Sequence, residues 1–214
     1  MNIPSSQPGS PQKKRISQDE RSAVTRNKLL DATFRILEEL GHAGLRSANI
    51  STESGVSRGG LLHHYATKEL LVAALLERML ERMEEESWNR IKSVPDDAVL
   101  PALVDDARSR FFGSSFKVQL DILVASGSEK PIVNVLKSLT GGDQVLARDG
   151  WALRLESTGV ERKTARQTTS FLWNLVKGLG LRNLVNPDYK LDDRAIALAL
   201  DLAHRRCYVK GTSL

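Results

Sequence analysis

"GVSRGGLLHHYATKELL", residues 55–71, carries the most informative local pattern in the chain. A helix-like run there carries two adjacent glycines (Gly59, Gly60), two adjacent histidines (His63, His64) and Tyr65. A glycine in a helix interior costs about 1 kcal/mol relative to alanine, so the pair needs a reason. The punctuation locates the elements. Gly55 suits the left-handed position that closes a helix over 48–54. Ser57 is an N-cap for the next helix, with Val56 and Leu61 at the two positions of a hydrophobic staple. Thr67 is a second N-cap, ahead of "KELL". Helix, tight glycine turn, helix is the helix-turn-helix layout.

At about 100° per residue, Leu61 and Tyr65 share one face of the second helix and are expected to pack on the first. Gly59 and His63 share the outward face, Gly60 and His64 form one flank, Leu62 another, and Arg58 lies in the first turn. The glycines are therefore expected on the outward side at the N-terminal end, where bare backbone can approach a partner closely. A recognition helix enters the major groove with its N-terminal residues leading, and a helix N-terminus favours phosphate.

On the N-terminal side, Leu29, Thr33, Ile36, Leu37 and Leu40 recur at helical spacing over 18–40, and Gly41 follows as a stop. Residues 1–19 read as a disordered basic arm rich in Pro, Ser and Gly, with Lys13, Lys14 and Arg15. That charge run is either solvated or touches DNA. On the C-terminal side, a charged helix over about 67–91 carries a Glu86–Arg90 pair at i,i+4 and ends at "SVPDD". Further helices are expected at about 97–112, 114–127, 129–138, 141–157, 161–185 and 191–208. No stretch shows sustained period-two alternation, so the chain reads as all-α. "FLWNLVKGLGLRNLV" (171–185) and "AIALALDLAH" (195–204) are apolar on nearly every face, which requires burial all round or a subunit interface. Asp192 and Asp193 open the last helix and Arg205 and Arg206 close it, matching the helix dipole.

Bulk properties narrow the function. The chain has 214 residues and a formal net charge of +5, which permits an anionic partner. One cysteine, Cys207, excludes an internal disulfide framework and suits a reducing cytoplasm. No run of about 18 apolar residues occurs, so no membrane span is expected. Asp105, Asp106, Asp121 and the glutamates of the charged helix read as solvated carboxylates, with no nucleophile or metal spacing beside them. No enzyme, metal or cofactor is expected. His63 and His64 point about 100° apart and cannot share one ion. His204 and Cys207, three apart, lack a second ligand pair and read as a packed or surface pair. Trp151, Trp173, Phe111, Phe112 and Phe116 are either core residues or the walls of an effector cavity.

Together with "TRNKLLDATFRILEELGHAGL" (25–45), the opening stretch resembles the signature of the tetracycline-repressor (TetR) family of bacterial transcriptional regulators, over about residues 20–75 with spacing intact. The resemblance implies an N-terminal three-helix helix-turn-helix DNA-binding domain (20–66) joined to a larger helical dimerisation and effector domain (67–210). It implies a cytoplasmic, sequence-specific transcriptional regulator, most simply a ligand-responsive repressor binding a palindromic operator as a homodimer. The partners would be double-stranded DNA, a second copy paired through about 161–185 and 191–208 as a four-helix bundle, and a small-molecule effector. The alternative is a non-specific, architectural DNA binder with the same helix-turn-helix.

Residue by residue, Ser57, Arg58, Gly59 and Gly60 match the leading end of the family's recognition helix, and His63 a groove-facing position. Leu62 and His64 match positions that touch phosphate, as do Thr25 and Ser47 at the starts of the first two helices. Lys68 matches the lysine that grips the DNA backbone. Arg58, with His63, is expected to read a base edge, and Lys68, Ser47, Thr25 and His64 to anchor phosphates. Three departures stand out. Leu62 replaces a usual tyrosine and cannot donate a hydrogen bond. Arg46 occupies the usual cap position of the second helix, leaving Ser47 to cap. Ser51 and Ser54 replace small alanines, giving with Asn49 and Thr52 a helix of poor propensity held by packing.

Overall fold

The computed structural model describes residues 17–140 and 146–209. Among the described residues the chain forms ten α-helices and no strand: α1 (Gln18–Leu40), α2 (Ser47–Ser54), α3 (Arg58–His64), α4 (Lys68–Ser93), α5 (Val99–Phe111), α6 (Ser114–Ser126), α7 (Lys130–Thr140), α8 (Ala147–Ser157), α9 (Arg162–Asn183) and α10 (Tyr189–Tyr208). The all-α expectation holds. Of the arm expected at 1–19, residues 1–16 lie outside the described residues, while Ser17 to Asp19 form the start of α1.

Helix α1 starts with a capping box. Glu20 N donates to Ser17 Oγ at 3.1 Å, and Ser17 N donates to Glu20 Oε2 at 2.7 Å. It buries Leu29, Leu30, Ala32, Thr33, Ile36 and Leu37. Leu40, expected on that face, is exposed; it is the last residue of the helix and meets the following 3-10 turn (His42–Gly44), where a Cβ on residue 44 would lie 2.4 Å from its own.

The apolar residues gather in two cores. One joins Leu29, Leu37, Ile50, Leu61 and Leu75 of the first four helices to Val118, Ile122 and Ile132 of α6 and α7. The other joins Leu103, Phe111, Trp151, Leu155, Leu172, Val176 and Ile196 from α5, α8, α9 and α10. Helix α4, 26 residues and about 39 Å long, runs between them, with Leu71 to Met79 in the first core and Ile91 in the second. Helix α6 also grips the base of α1: Lys117 Nζ donates to Glu38 O at 3.3 Å, and Ser126 Oγ lies 3.0 Å from His42 Nε2.

Several expectations are corrected by partners that come from other helices. The expected Glu86–Arg90 pair is not made. Glu86 pairs with Arg82 at 2.9 Å, and Arg90 turns to Asp106 on α5. Asp106 is no solvated carboxylate: it is 1% exposed and also accepts from Trp151 Nε1 at 2.8 Å. Asp105 does stay exposed. At the last helix, Asp188 is the cap, accepting from Leu191 N at 3.0 Å. Asp192 is fully buried there, on Arg182 Nη2 at 2.5 Å and Asn183 Nδ2 at 2.6 Å, because a carboxylate taken out of water needs donors. Phe111, Phe116, Trp151 and Trp173 are core residues, and Phe112 lies under the Arg108 guanidinium. None of the five lines the groove around Phe34 and Met79 or the one around Leu100 and Tyr208. Cys207 Sγ meets Thr168 Oγ1 at 3.6 Å, and the His204 ring packs on Tyr208.

Candidate nucleic-acid interface

Helix α3 stands on a short, well-tied scaffold. Gly55 closes α2 at φ +67°, ψ 15°, the left-handed conformation that favours glycine. Ser54 cements that turn: its Oγ donates to Ile50 O at 2.6 Å and accepts from Val56 N at 3.2 Å. Ser54 thus makes bonds that alanine could not. Asn49 Nδ2 reaches Gly44 O at 2.8 Å, and Glu53 takes Arg35 of α1 at 2.6 Å. These ties, with buried Ile50, hold a helix whose own propensity is poor. Ser47 does not cap it. Arg46 occupies the cap position with no side-chain bond, and Ser47 is the exposed first residue.

Ser57 caps α3 as expected, accepting from Gly60 N at 3.1 Å, and Leu61 is buried beside half-buried Val56 and Tyr65. With Leu61 turned inward, Arg58, Gly59, Leu62 and His63 are exposed, Leu62 to 52%. The two glycines, both expected on the outward side, differ. A Cβ at Gly59 would meet nothing within 4 Å, so that position is open. A Cβ at Gly60 would sit 2.9 Å from Val56 Cγ1. Gly59 bares the outward face; Gly60 makes room for the staple.

Half-buried His64 sits edge-on to His63, ring centroids 5.3 Å apart. Its imidazole is held below its ordinary pKa by burial first, then by the charges of His63 and Arg26. Arg26 of α1 is the residue the sequence reading missed. Its charge acts on both His64 and Tyr65, at the C-terminal end of α3. Thr25, its neighbour, lies two turns inside α1 rather than at its start, and its hydroxyl donates to Arg21 O at 2.9 Å. A hydroxyl has one proton, so Thr25 must release that carbonyl before it can donate to a phosphate.

Thr67 caps α4, accepting from Leu70 N at 3.3 Å. The Glu69 carboxyl is held below its usual range by hydrogen bonds from its own backbone and from Thr67. An anion therefore already serves the N-terminus of α4, and exposed Lys68 supplies the positive charge at that end. Arg58, Gly59, His63 and Lys68 thus share open exposure around α3, flanked by Arg26 and His64; Ser47 is exposed at the head of α2.

Comparison with known proteins bears on this geometry. Residues 29–75 match the model of the family described as "Bacterial regulatory proteins, tetR family". The HTH-type transcriptional regulator CymR of Pseudomonas putida is 32% identical over 194 residues, spanning 90% of this chain and 96% of that protein. A crystal structure of a TetR transcription regulator from Haloarcula marismortui superposes with a TM-score of 0.63 at 20% identity, over 86% of this chain and 97% of that one. A protein of Saccharomonospora viridis solved in complex with choline gives a TM-score of 0.66 at 18% identity, over 86% and 98%.

Proposed function

This chain belongs to the tetR family of bacterial regulatory proteins and is a DNA-binding helix-turn-helix transcriptional regulator, and on that premise we propose that it is a ligand-responsive repressor that holds a palindromic operator as a homodimer. The observation that carries the reading is the outward face of α3: a capped helix anchored by Leu61 that presents Arg58, bare Gly59 and His63 to solvent.

Gly59 lets the head of α3 approach a base-pair edge, and the Arg58 fork matches the O6 and N7 acceptors of guanine, with His63 one turn behind. Lys68, His64, Ser47 and Arg26 hold phosphates on either side, and Thr25 joins them once its hydroxyl turns from Arg21 O. Residues 20–66 deliver these contacts. Residues 67–210 dimerise and receive the effector, in the cytoplasm with the DNA.

The exposed apolar side chains of α9 (Phe171, Leu181) and α10 (Leu198, Leu202), with Val185 just past the end of α9, support dimerisation. Two copies would close them into a four-helix bundle. A two-fold dimer sets two α3 helices one DNA turn apart, which requires a palindrome. An effector that prefers one dimer conformation would shift α4 and with it the spacing of the α3 pair. The choline complex of a protein with this fold is in keeping with a ligand there.

Selecting bound duplexes from a random pool tests the reading. The recovered sites should be two-fold symmetric, with half-site centres about 34 Å apart or a multiple of it. Sites with no symmetric motif would favour the architectural binder.

A further inference from the structure

Leu61 and Leu62 are neighbours on α3 with opposite surroundings. Leu61 is 4% exposed and packs with Val56 and Tyr65, whereas Leu62 is 52% exposed. Scattered surface leucines are ordinary and need no explanation. The place of this one gives it weight. Leu62 follows Arg58 by four residues, so the two lie about 40° apart around the helix axis and about 6 Å apart along it. Arg58 is exposed as well, and beside it a Cβ on Gly59 would meet nothing within 4 Å. That bare position lets the backbone sink toward a groove floor. A leucine side chain is shorter than arginine or tyrosine, and it reaches a base only from such a close approach.

The resemblance to the family signature puts a phosphate contact at this position, but a leucine has no donor to offer. Pressing an apolar group on a phosphate strips water from the anion without replacing its hydrogen bonds. A base edge is the better match. In the major groove thymine shows its C5 methyl, the one apolar group that any of the four bases presents there. We infer that Leu62 is a specificity-determining residue that packs on a thymine methyl. At 3.4 Å per base pair, the 6 Å offset puts that thymine within about two base pairs of the guanine taken by Arg58. The inference rests on the proposed seating of α3 in the major groove, and it adds to each half-site a base that Leu62 reads without a hydrogen bond. Burial of one methyl group amounts to about fourfold in affinity for each half-site.

The test uses the full chain and an operator selected from random duplexes, with each thymine replaced in turn by deoxyuridine. That exchange keeps every hydrogen-bonding group of the base and removes only the methyl. At one thymine per half-site, within two base pairs of the position that Arg58→Ala relaxes, the parent should bind the uracil duplex about fourfold more weakly. Leu62→Ala should bind the thymine and uracil duplexes equally, because the leucine and the methyl act as a pair. The ratio is taken within one protein preparation, so a partly folded variant does not disturb it. Should every thymine tolerate the exchange, or should Leu62→Ala keep the fourfold ratio, Leu62 is no reader of thymine. Base relaxation by Arg58→Ala beside either result would overturn this inference alone and leave α3 in the groove. Recovery of no preferred duplex would overturn the seating of α3, and the role of Leu62 with it.

Discussion

The indole N–H of Trp151 donates to Asp106 Oδ2 at 2.8 Å, while the other oxygen of that carboxylate takes Arg90 from the end of α4. Trp151 and Asp106 are both buried, and Arg90 also reaches Ser109 Oγ at 2.6 Å. One carboxylate therefore ties α4 to α5 and α8. Asp106→Ala orphans a buried indole donor, whereas partly exposed Arg90 can return to water. The expected loss is about 1–3 kcal/mol, read as a lowered urea midpoint at constant m-value. An unchanged midpoint would remove the tie from the account.

His64 predicts a pH dependence. In the free protein its pKa is depressed, so it enters the DNA complex neutral, and a nearby phosphate favours the imidazolium. Proton uptake then accompanies binding, and operator affinity should rise as pH falls below about 6.5. The sign for folding is opposite: the unfolded chain takes the proton first, so His64 draws stability down through the same window. Operator affinities measured on either side of that pH should show a smaller gain in His64→Gln than in the parent. Equal gains would take His64 off the DNA.

Lys68, exposed at the head of α4, is proposed as a phosphate anchor. Lys68→Ala should weaken operator and random duplex alike and flatten the logarithmic salt dependence by about one unit. A loss confined to the operator would make Lys68 a base reader instead.

Leu198 and Leu202, one turn apart on α10, are 61% and 50% exposed in a single chain. Replacing both with Glu should leave helicity and chain stability near those of the parent and halve the sedimenting mass. Operator affinity should fall with it, because one α3 then acts without its twin. A double variant that still sediments as a dimer would place the interface elsewhere.

Features set within four residues of chain were legible beforehand. Ser57, Thr67 and Gly55 cap where their residue types and spacing indicated, because a cap acts inside one turn. One such signal was passed over: Ser17 with Glu20 three residues on is a capping-box pattern, which puts the start of α1 inside the arm expected at 1–19 and Thr25 well inside the helix. Periodicity could not reveal partners far along the chain. Glu84 accepts from Ala147 N at 2.7 Å and from Arg110 at 2.9 Å, and Asp106 meets a tryptophan 45 residues away. Nothing local marks Asp106 as buried or Glu84 as tied to distant donors. Gly60 shows a subtler limit, since helical rotation said which way it points but not that Val56 would fold back over it. Arg26 carried no signal of its own; its charge acts on His64 from a position on α1 that no local pattern links to α3.

Base reading by Arg58 on the outward face of α3 is decided by competition binding of the parent and Arg58→Ala to a selected operator against random duplex. The account predicts that the variant loses about 1–3 kcal/mol on the operator, keeps most of its affinity for random duplex, and relaxes preference at one base position per half-site. An unchanged ratio of operator to random affinity would contradict it.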